Sequence, residues 1–351
     1  MKVALITDQH FGVRGDSIQF HEFFSEFYKN FFFPYLDEHG ISTIVELGDI
    51  FDRRKYVNYD TLSRCKDYWF DQIKQRDIKL HCIVGNHDIY FKNTNRVNAP
   101  NLLLNEYSFE VYEEATEVDL GGLKVLMLPW INNQNYETAM KVVKSTNASV
   151  VLGHLEFQGF EMYRGAMNDH GLSHRDFTKF DMVCSGHFHH KSSKDNIHYL
   201  GAPYEMTWSD YNDDRGFHIL DTETGEMEYV KNPHIMFHKV FYDDSESNQE
   251  ELLNVDFSHL VDKHVKVIVK TKNNPYVFDL YIDKLNAAAP AHMQVVEDNF
   301  NLDISDDNDI INEAEDTITI IKNYIGNLNL NETKPMENLF YDLYHEALSA
   351  D

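Results

Sequence analysis

Residues 184–190 read Cys-Ser-Gly-His-Phe-His-His, which places His187, His189 and His190 within four positions behind the apolar run Phe180-Asp-Met-Val183. Histidine makes up 19 of 351 residues, so such a cluster at a strand end calls for a cause. By itself it suits a metal site, a catalytic base or a crowded loop. What decides between them, and decides the fold, is recurrence upstream. The apolar strand Lys2 to Thr7 is followed by Asp8-Gln-His10, Ser42 to Leu47 by Gly48-Asp49-Ile-Phe-Asp52, and Lys79 to Val84 by Gly85-Asn86-His87-Asp88. Ser149 to Leu152 leads into Gly153-His154, and Asp181 to Cys184 into Gly186-His187-Phe-His189. A lone histidine at a strand end is commonly a structural hydrogen-bonder. Five strands in order, each delivering Asp, Asn or His at one end, are not explained that way.

Between these strands the periodicity predicts helices from about Ile18 to Leu36, Tyr59 to Lys74 and Tyr136 to Lys144, with a further strand from Leu123 to Leu128. Strands alternating with helices predict an α/β domain, and the loops at the strands' carboxyl ends are where its ligand sites assemble. Glycine in those loops allows the sharp turns that bring short side chains inward. From His198 the pattern turns strand-rich, with Gly216 to Asp221 and Glu226 to Val230 closing a first domain of residues 1–232. The acidic stretch Asp243 to Glu251 has a linker's composition. Strands at Lys239 to Tyr242, His264 to Thr271 and His292 to Glu297, with a helix from Val277 to Ala289, predict a small β-α-β-α-β unit over 233–298. A second acidic linker, 299–309, precedes helical segments over 310–351.

The bulk properties exclude several classes. No apolar run approaches the roughly 20 residues that span a bilayer, and the apolar start of the chain is too short for a signal peptide, so no membrane partner is expected. Three cysteines, Cys65, Cys82 and Cys184, are odd in number and far apart, which predicts a reduced, cytoplasmic chain. Asp and Glu number 58 against 31 Lys and Arg, a formal charge of −27. Such a chain should not bind polyphosphate backbones unaided.

The donor types carry chemistry of their own. Imidazole nitrogens with carboxylate and amide oxygens, and no thiolate, suit Mn²⁺, Fe²⁺ or Zn²⁺. Seven candidate ligands are too many for one tetrahedral ion but suit two ions sharing a carboxylate. Paired ions about 3.5–4 Å apart clamp the attacking and leaving oxygens of a displacement at phosphorus.

The motifs DxH, GDxxD, GNHD, GH and GHxH, in this order, resemble the calcineurin-like metallophosphoesterase superfamily. Within it, Asp8-Gln-His10-Phe-Gly12, Gly48-Asp49-Ile-Phe-Asp52 and the small unit that follows resemble the SbcD-type DNA nucleases. Gly153-His-Leu-Glu156, Tyr163-Arg-Gly165, His170-Gly-Leu172 and Ser185-Gly-His-Phe-His189 are similar, more narrowly, to the recombination endonuclease subunits of T-even-like phages. The resemblance covers residues 1–232 by motif and the rest by arrangement. It implies a β-sandwich flanked by helices, a small α/β capping domain and C-terminal helices.

It also implies two divalent ions, Mn²⁺ first, with Mg²⁺, Fe²⁺ or Zn²⁺ as alternatives. Asp8, His10 and His189 would hold one ion, Asn86, His154 and His187 the other, and Asp49 would bridge. His87 would contact the scissile phosphate rather than a metal, Asp88 would orient its imidazole, and His190 would be incidental. Some relatives carry His where this chain has Asp52; the following Arg53, Arg54 and Lys55 could contact phosphate in its place or form a solvated loop. With Lys92 and Arg96 they supply local positive charge for DNA, most of whose affinity would come from a partner. The implied function is a DNA exo/endonuclease working with an SbcC-like SMC-type ATPase on DNA ends in recombination and repair, in the host cytoplasm if phage-encoded. A phosphoesterase on a small phosphodiester or phosphoprotein, and a non-catalytic scaffold, are the alternatives.

Two expectations concern assembly. Family members commonly form homodimers through helices of the nuclease domain, and the aromatic stretch Phe20 to Phe33 is one candidate surface, though a core-facing helix would look much the same. At the C-terminus, Ile311, Ala314, Ile318, Ile321, Ile325 and Leu328 form a narrow apolar seam. A second segment offers Met336, Phe340, Leu343 and Ala347 behind start signals at Thr333 and Pro335. The resemblance implies that these helices grip the ATPase; a hairpin folded on its own domain is the alternative.

Overall fold

The computed structural model describes residues 1–297 apart from 108, 164, 165, 169 and 246–248. The linker expected at 299–309 and the seam residues Ile311, Ile318, Ile321, Ile325, Leu328, Phe340 and Leu343 lie outside the described residues.

Two six-stranded sheets pack face to face. In the first, β1 (Lys2–Ile6), β2 (Thr43–Glu46), β3 (Lys79–Ile83) and β4 (Glu110–Tyr112) are parallel, while β13 (Gly216–Asp221) and β14 (Met227–Lys231) add antiparallel beside β1. The second holds β5 (Thr116–Leu120), β6 (Leu123–Leu128), β7 (Val150–His154), β10 (Met182–Gly186), β11 (Ser192–Lys194) and β12 (Ile197–Tyr199) in the order β11-β12-β10-β7-β6-β5. Its four central strands are parallel and both edges antiparallel. A short hairpin, β8 (Glu161–Tyr163) and β9 (Ala166–Met167), lies between β7 and β10.

Side-chain alternation sorts the core. Val3, Leu5, Val45 and Ile83 meet Val125, Met127, Val150, Leu152 and Cys184 between the sheets. The alternate residues Ala4, Ile6, Ile44, Leu80 and Cys82 face the aromatic helices on the outside of the first sheet. The outer face of the second sheet is covered by the helix Tyr136–Ser145 through Ala139, Met140 and Val143. Burial of both faces is why these strands read as nearly unbroken apolar runs.

The first long helix runs as expected from Ile18, but reaches His39 and contains a π turn at Tyr28–Phe32, between α segments Ile18–Phe27 and Phe33–His39. The second has the same interruption at Lys66–Phe70 within Tyr59–Gln75. The wider turn lets adjacent pairs, Phe27 with Tyr28 and Phe32 with Phe33, all reach 0% exposure. Of the two readings of Phe20 to Phe33, the structure shows the core-facing helix: Phe20, Phe23, Phe24, Phe27, Phe32 and Phe33 are core residues, each contributing about 1.5–3 kcal/mol by leaving water.

The small unit is a parallel sheet, β15 (Phe237–Asp243), β16 (His264–Thr271) and β17 (His292–Glu297), with the helix Pro275–Ala287 crossing between the last two. The acidic stretch expected as a linker overlaps the end of β15 and the helix Gln249–Asn254. Asp244 there accepts the backbone N–H groups of Asn273 and Asn274, each at 2.7 Å. Glu205 anchors the unit's entry, accepting the N–H groups of Met236 at 2.6 Å and Phe237 at 2.9 Å. Among the described residues no helix is long and apolar enough to cross a membrane.

Candidate metal centre

The carboxyl ends of β1, β2 and β3 meet those of β7 and β10 across the sandwich. Four residues there hold left-handed backbone: Asp8 (φ 53°), His10 (φ 44°), Asp49 (φ 62°) and His187 (φ 92°). Each such non-glycine residue costs about 1–3 kcal/mol, so the surrounding structure must impose it. The loops do so by continuing the β1–β2 pairing: Asp8 N–H donates to the Gly48 carbonyl at 3.0 Å, His10 to Asp49 at 3.0 Å and Phe11 to Ile50 at 2.8 Å. Glycine is required at 48, where φ is +103° and a Cβ would come within 2.5 Å of His154 Nδ1. At Gly186 a Cβ would collide with Thr7 Oγ1.

Asp8, His10 and His189 form one group whose potential ligand atoms all lie within 4.8 Å of one another, and Asp49, His154 and His187 form a second. Asp49 connects the two: its Oδ2 is 3.7 Å from His10 Nε2 and 3.3 Å from His154 Nε2. Asn86 Oδ1 lies 2.9 Å from both His154 Nε2 and His187 Nδ1. All seven residues singled out as ligands therefore converge on one place. His154 Nδ1 donates to the Leu47 carbonyl at 2.7 Å, which turns Nε2 toward Asp49 and Asn86. His87 borders the same space, with its backbone N–H on Asp49 Oδ1 at 2.7 Å, and it also groups with His10 and Asp49.

Electrostatics suit a cation. Burial works against charge on His154, but the Asp49 carboxylate raises it to about 9. Asp49 in turn is held well below the usual carboxylate range: burial opposes this, and His154 outweighs it. Burial and the His154 charge push His187 down to about 3, and burial with His10 pushes His189 well below its ordinary value. His187 and His189 are thus neutral imidazoles grouped with the buried carboxylates of Asp49 and Asp8. That donor set fits divalent cations.

Other expected residues lie differently. Asp88 does not orient His87: its carboxylate accepts the backbone N–H groups of Gly85 at 2.9 Å, Asp49 at 2.9 Å and Ile50 at 3.0 Å. Amides at the strand ends reach it first, because its side chain points under the loop. The His87 imidazole is instead held by the carbonyl of Asp52, 2.5 Å from Nδ1, while the Asp52 carboxylate stands 3.6 Å from His10 Nδ1. His190, expected to be incidental, lies 2.9 Å from Asp213 Oδ2. Asp213 also binds Arg215, which contacts Asp210 at 2.8 Å and donates to the His189 carbonyl.

Of the cations, Arg53 pairs with Asp16 at 2.8 Å and Arg54 donates to the Ile89 carbonyl at 3.3 Å. Lys55, Lys92 and Arg96 are exposed. Arg53, Arg54 and Lys55 line a groove of about 270 Å³ together with Tyr59, Leu62 and Leu102. Sequence reasoning missed Trp130, whose ring sits 4.9 Å from that of His187. Its place just after the parallel strand β6 was the available signal.

The sequence matches the family model of calcineurin-like phosphoesterases over residues 1–191. It is 32% identical to exonuclease subunit 1 of Enterobacteria phage T4, across 93% of this chain and 92% of that protein. It is 22% identical to the SbcD component of the SbcCD nuclease of Staphylococcus epidermidis, across 80% of this chain and 79% of that one. Among solved structures, a dimetal phosphatase from Danio rerio is similar at 12% identity and a TM-score of 0.41, covering 67% of this chain and 97% of that chain. With its matched region spanning more than half its length and its strand-end residues gathered as described, the chain belongs to the calcineurin-like phosphoesterase family.

Proposed function

We propose that this phosphoesterase is a two-metal nuclease that cuts DNA. The observation that carries the proposal is the position of Asp49 between two groups of neutral or paired imidazoles. Asp8, His10 and His189 would hold one ion, Asn86, His154 and His187 the other, with Asp49 common to both and Mn²⁺ the favoured metal. Such ions, when bound, would lower the pKa of a water and neutralise charge on the phosphate. The chain's own residues do the rest. The Leu47 carbonyl fixes the His154 tautomer, and the Asp52 carbonyl accepts from His87 Nδ1, so that His87 Nε2 donates to a phosphate or leaving oxygen when the ring is an imidazolium, protonated at both nitrogens.

DNA is favoured as substrate because both of these sequence relatives are by name components of nucleases. Lys55, Lys92 and Arg96 would contact its backbone with Arg53 and Arg54, the unit over 233–298 would cap it, and residues 310–351 would bind an SbcC-like ATPase, the complex processing DNA ends in recombination and repair. The nuclease would work as a homodimer.

The test strips the full-length protein with chelator, restores Mn²⁺, and compares a single-stranded oligonucleotide with a small chromogenic phosphodiester. The proposal expects both to be cleaved. Turnover of the small diester alone, with and without the ATPase, would move the function to small phosphodiesters; turnover of neither would leave a scaffold. Removing residues 306–351 should abolish co-purification with the ATPase and spare the Mn²⁺-dependent cleavage.

A further inference from the structure

Beside the metal centre, Trp130, Ile131, Asn133, Tyr136, Glu156 and Leu172 line a cavity of about 210 Å³. We infer that it is a nucleobase pocket, which receives the base of the nucleotide whose phosphate lies at the metal centre. The inference rests on the nuclease reading and specifies its substrate: a strand end or unpaired nucleotide, since a paired base has no free face to offer.

The first support is position. Trp130 touches His187 ring to ring at 4.9 Å and lies 6.1 Å from His154. A base sits one sugar away from its phosphate, and this cavity sits one aromatic ring away from the proposed ligands. The second is rigidity. The Trp130 N–H donates to the Val84 carbonyl at 2.8 Å, and its carbonyl accepts from the side-chain amides of Asn95 and Asn135, both at 2.9 Å. A half-buried indole carried on a backbone held by these three hydrogen bonds, with its ring packed on His187, is a preorganised stacking surface rather than a stray exposed aromatic. The third is chemistry. Tyr136, 48% exposed at the start of its helix, adds a second ring. Asn133 and Glu156 bring an amide and a carboxylate to the same cavity, groups that pair with base edges. Stacking accepts any base, so this pocket suits a nuclease without strong sequence preference.

The test needs no turnover. All three tryptophans emit, but Trp69 and Trp208 are buried, so quenching by a ligand that stacks in the cavity should fall on Trp130. Mn²⁺-loaded full-length protein is titrated with a deoxynucleoside 5′-monophosphate and, separately, with deoxyribose 5-phosphate, which lacks only the base. Saturable quenching by the nucleotide and not by the sugar phosphate is expected, and should vanish in Trp130→Phe. Trp130→Ala should weaken nucleotide binding in equilibrium dialysis by roughly tenfold or more relative to its effect on the sugar phosphate. Tyr136→Ala, at an exposed site that folding does not need, should weaken it severalfold. Equal binding of the two ligands by the wild type, or equal losses in the variants, would overturn the pocket. If DNA is cleaved while base and sugar phosphate bind alike, this inference falls and the nuclease stands; if the nucleotide binds as described while DNA stays intact, the nuclease reading falls instead.

Discussion

The sandwich and the small unit are both built from parallel strands joined by helices, and each places an aspartate just past a strand. Asp244 follows β15, and its carboxylate is fully engaged by two backbone amides at 2.7 Å. Asp49 lies past β2 with left-handed backbone, and its Oδ2 faces two imidazoles instead. Asp88 falls between them: it belongs to the GNHD motif, yet three amides occupy it as two occupy Asp244. A carboxylate at a strand end therefore builds a site only where the backbone aims it away from its own loop. Where separate amides occupy both oxygens, as at Asp88 and Asp244, it becomes a structural brace, whereas Asp49 takes one amide on Oδ1 and keeps Oδ2 for the imidazoles.

That contrast can be broken by substitution, beginning with the largest effect. Asp49→Asn should lower hydrolysis by more than about 10³-fold and leave fewer than two ions per chain by elemental analysis. Finding both ions still bound would put the bridge elsewhere. His87→Ala should retain the metal and lose on the order of 10²–10³ in rate, the usual effect of removing a preorganised donor; loss of an ion would make His87 a ligand. Asp88→Ala strands three buried N–H groups, so urea denaturation should show a loss of roughly 3 kcal/mol or more. If its stability were unchanged and only its rate fell, Asp88 would belong with Asp49 after all. Asp244→Ala should cost about 1–2 kcal/mol with hydrolysis unaltered, and an altered rate would mean that the two units are coupled.

The last effect concerns pH. Burial lifts Glu205 to about 7 from an ordinary 4.5, against the pull of its two backbone partners. A folded-state value above the unfolded one means that its contribution to stability is full below about 4.5 and is lost as pH rises through about 7. Glu205→Gln should flatten the fall in Tm across that window. A slope that persists would have another source.

The fold class was legible because parallel strands buried on both faces write themselves as apolar runs, and the strand-end loops because glycine and short polar residues follow each run. Spacing along the chain does not reveal which atom a side chain meets. Asp88 and His87 are neighbours in sequence, yet one is turned under the loop and the other toward the space that Asp49 faces. Arg53 reads as a free cation and is paired with Asp16. The Phe20 to Phe33 stretch reads equally as a docking surface or a core-facing helix, because an apolar face opposite the polar Gln19, Glu22, Glu26, Lys29 and Asn30 does not say what covers it. Trp130 carries no motif, and its place after β6 marks it only weakly until its contact with His187 is seen.

The π turn at Tyr28–Phe32 amounts to one extra residue in an otherwise ordinary helix. It points the Tyr28 hydroxyl at Gln9, 2.5 Å from Nε2, inside the loop that carries Asp8 and His10, and Tyr204 completes the grip by donating to the Gln9 carbonyl at 2.7 Å. Its counterpart at Lys66–Phe70 stacks Tyr68 on Tyr28 at 5.7 Å. Deleting a single residue within it would restore α geometry but remove the turn that aims Tyr28, and deleting one in the flanking α segments would rotate everything after it by roughly 100°. The enzyme would then be more tolerant of many point substitutions in this helix than of one lost codon, and insertions or deletions along it should be purged wherever the gene drifts.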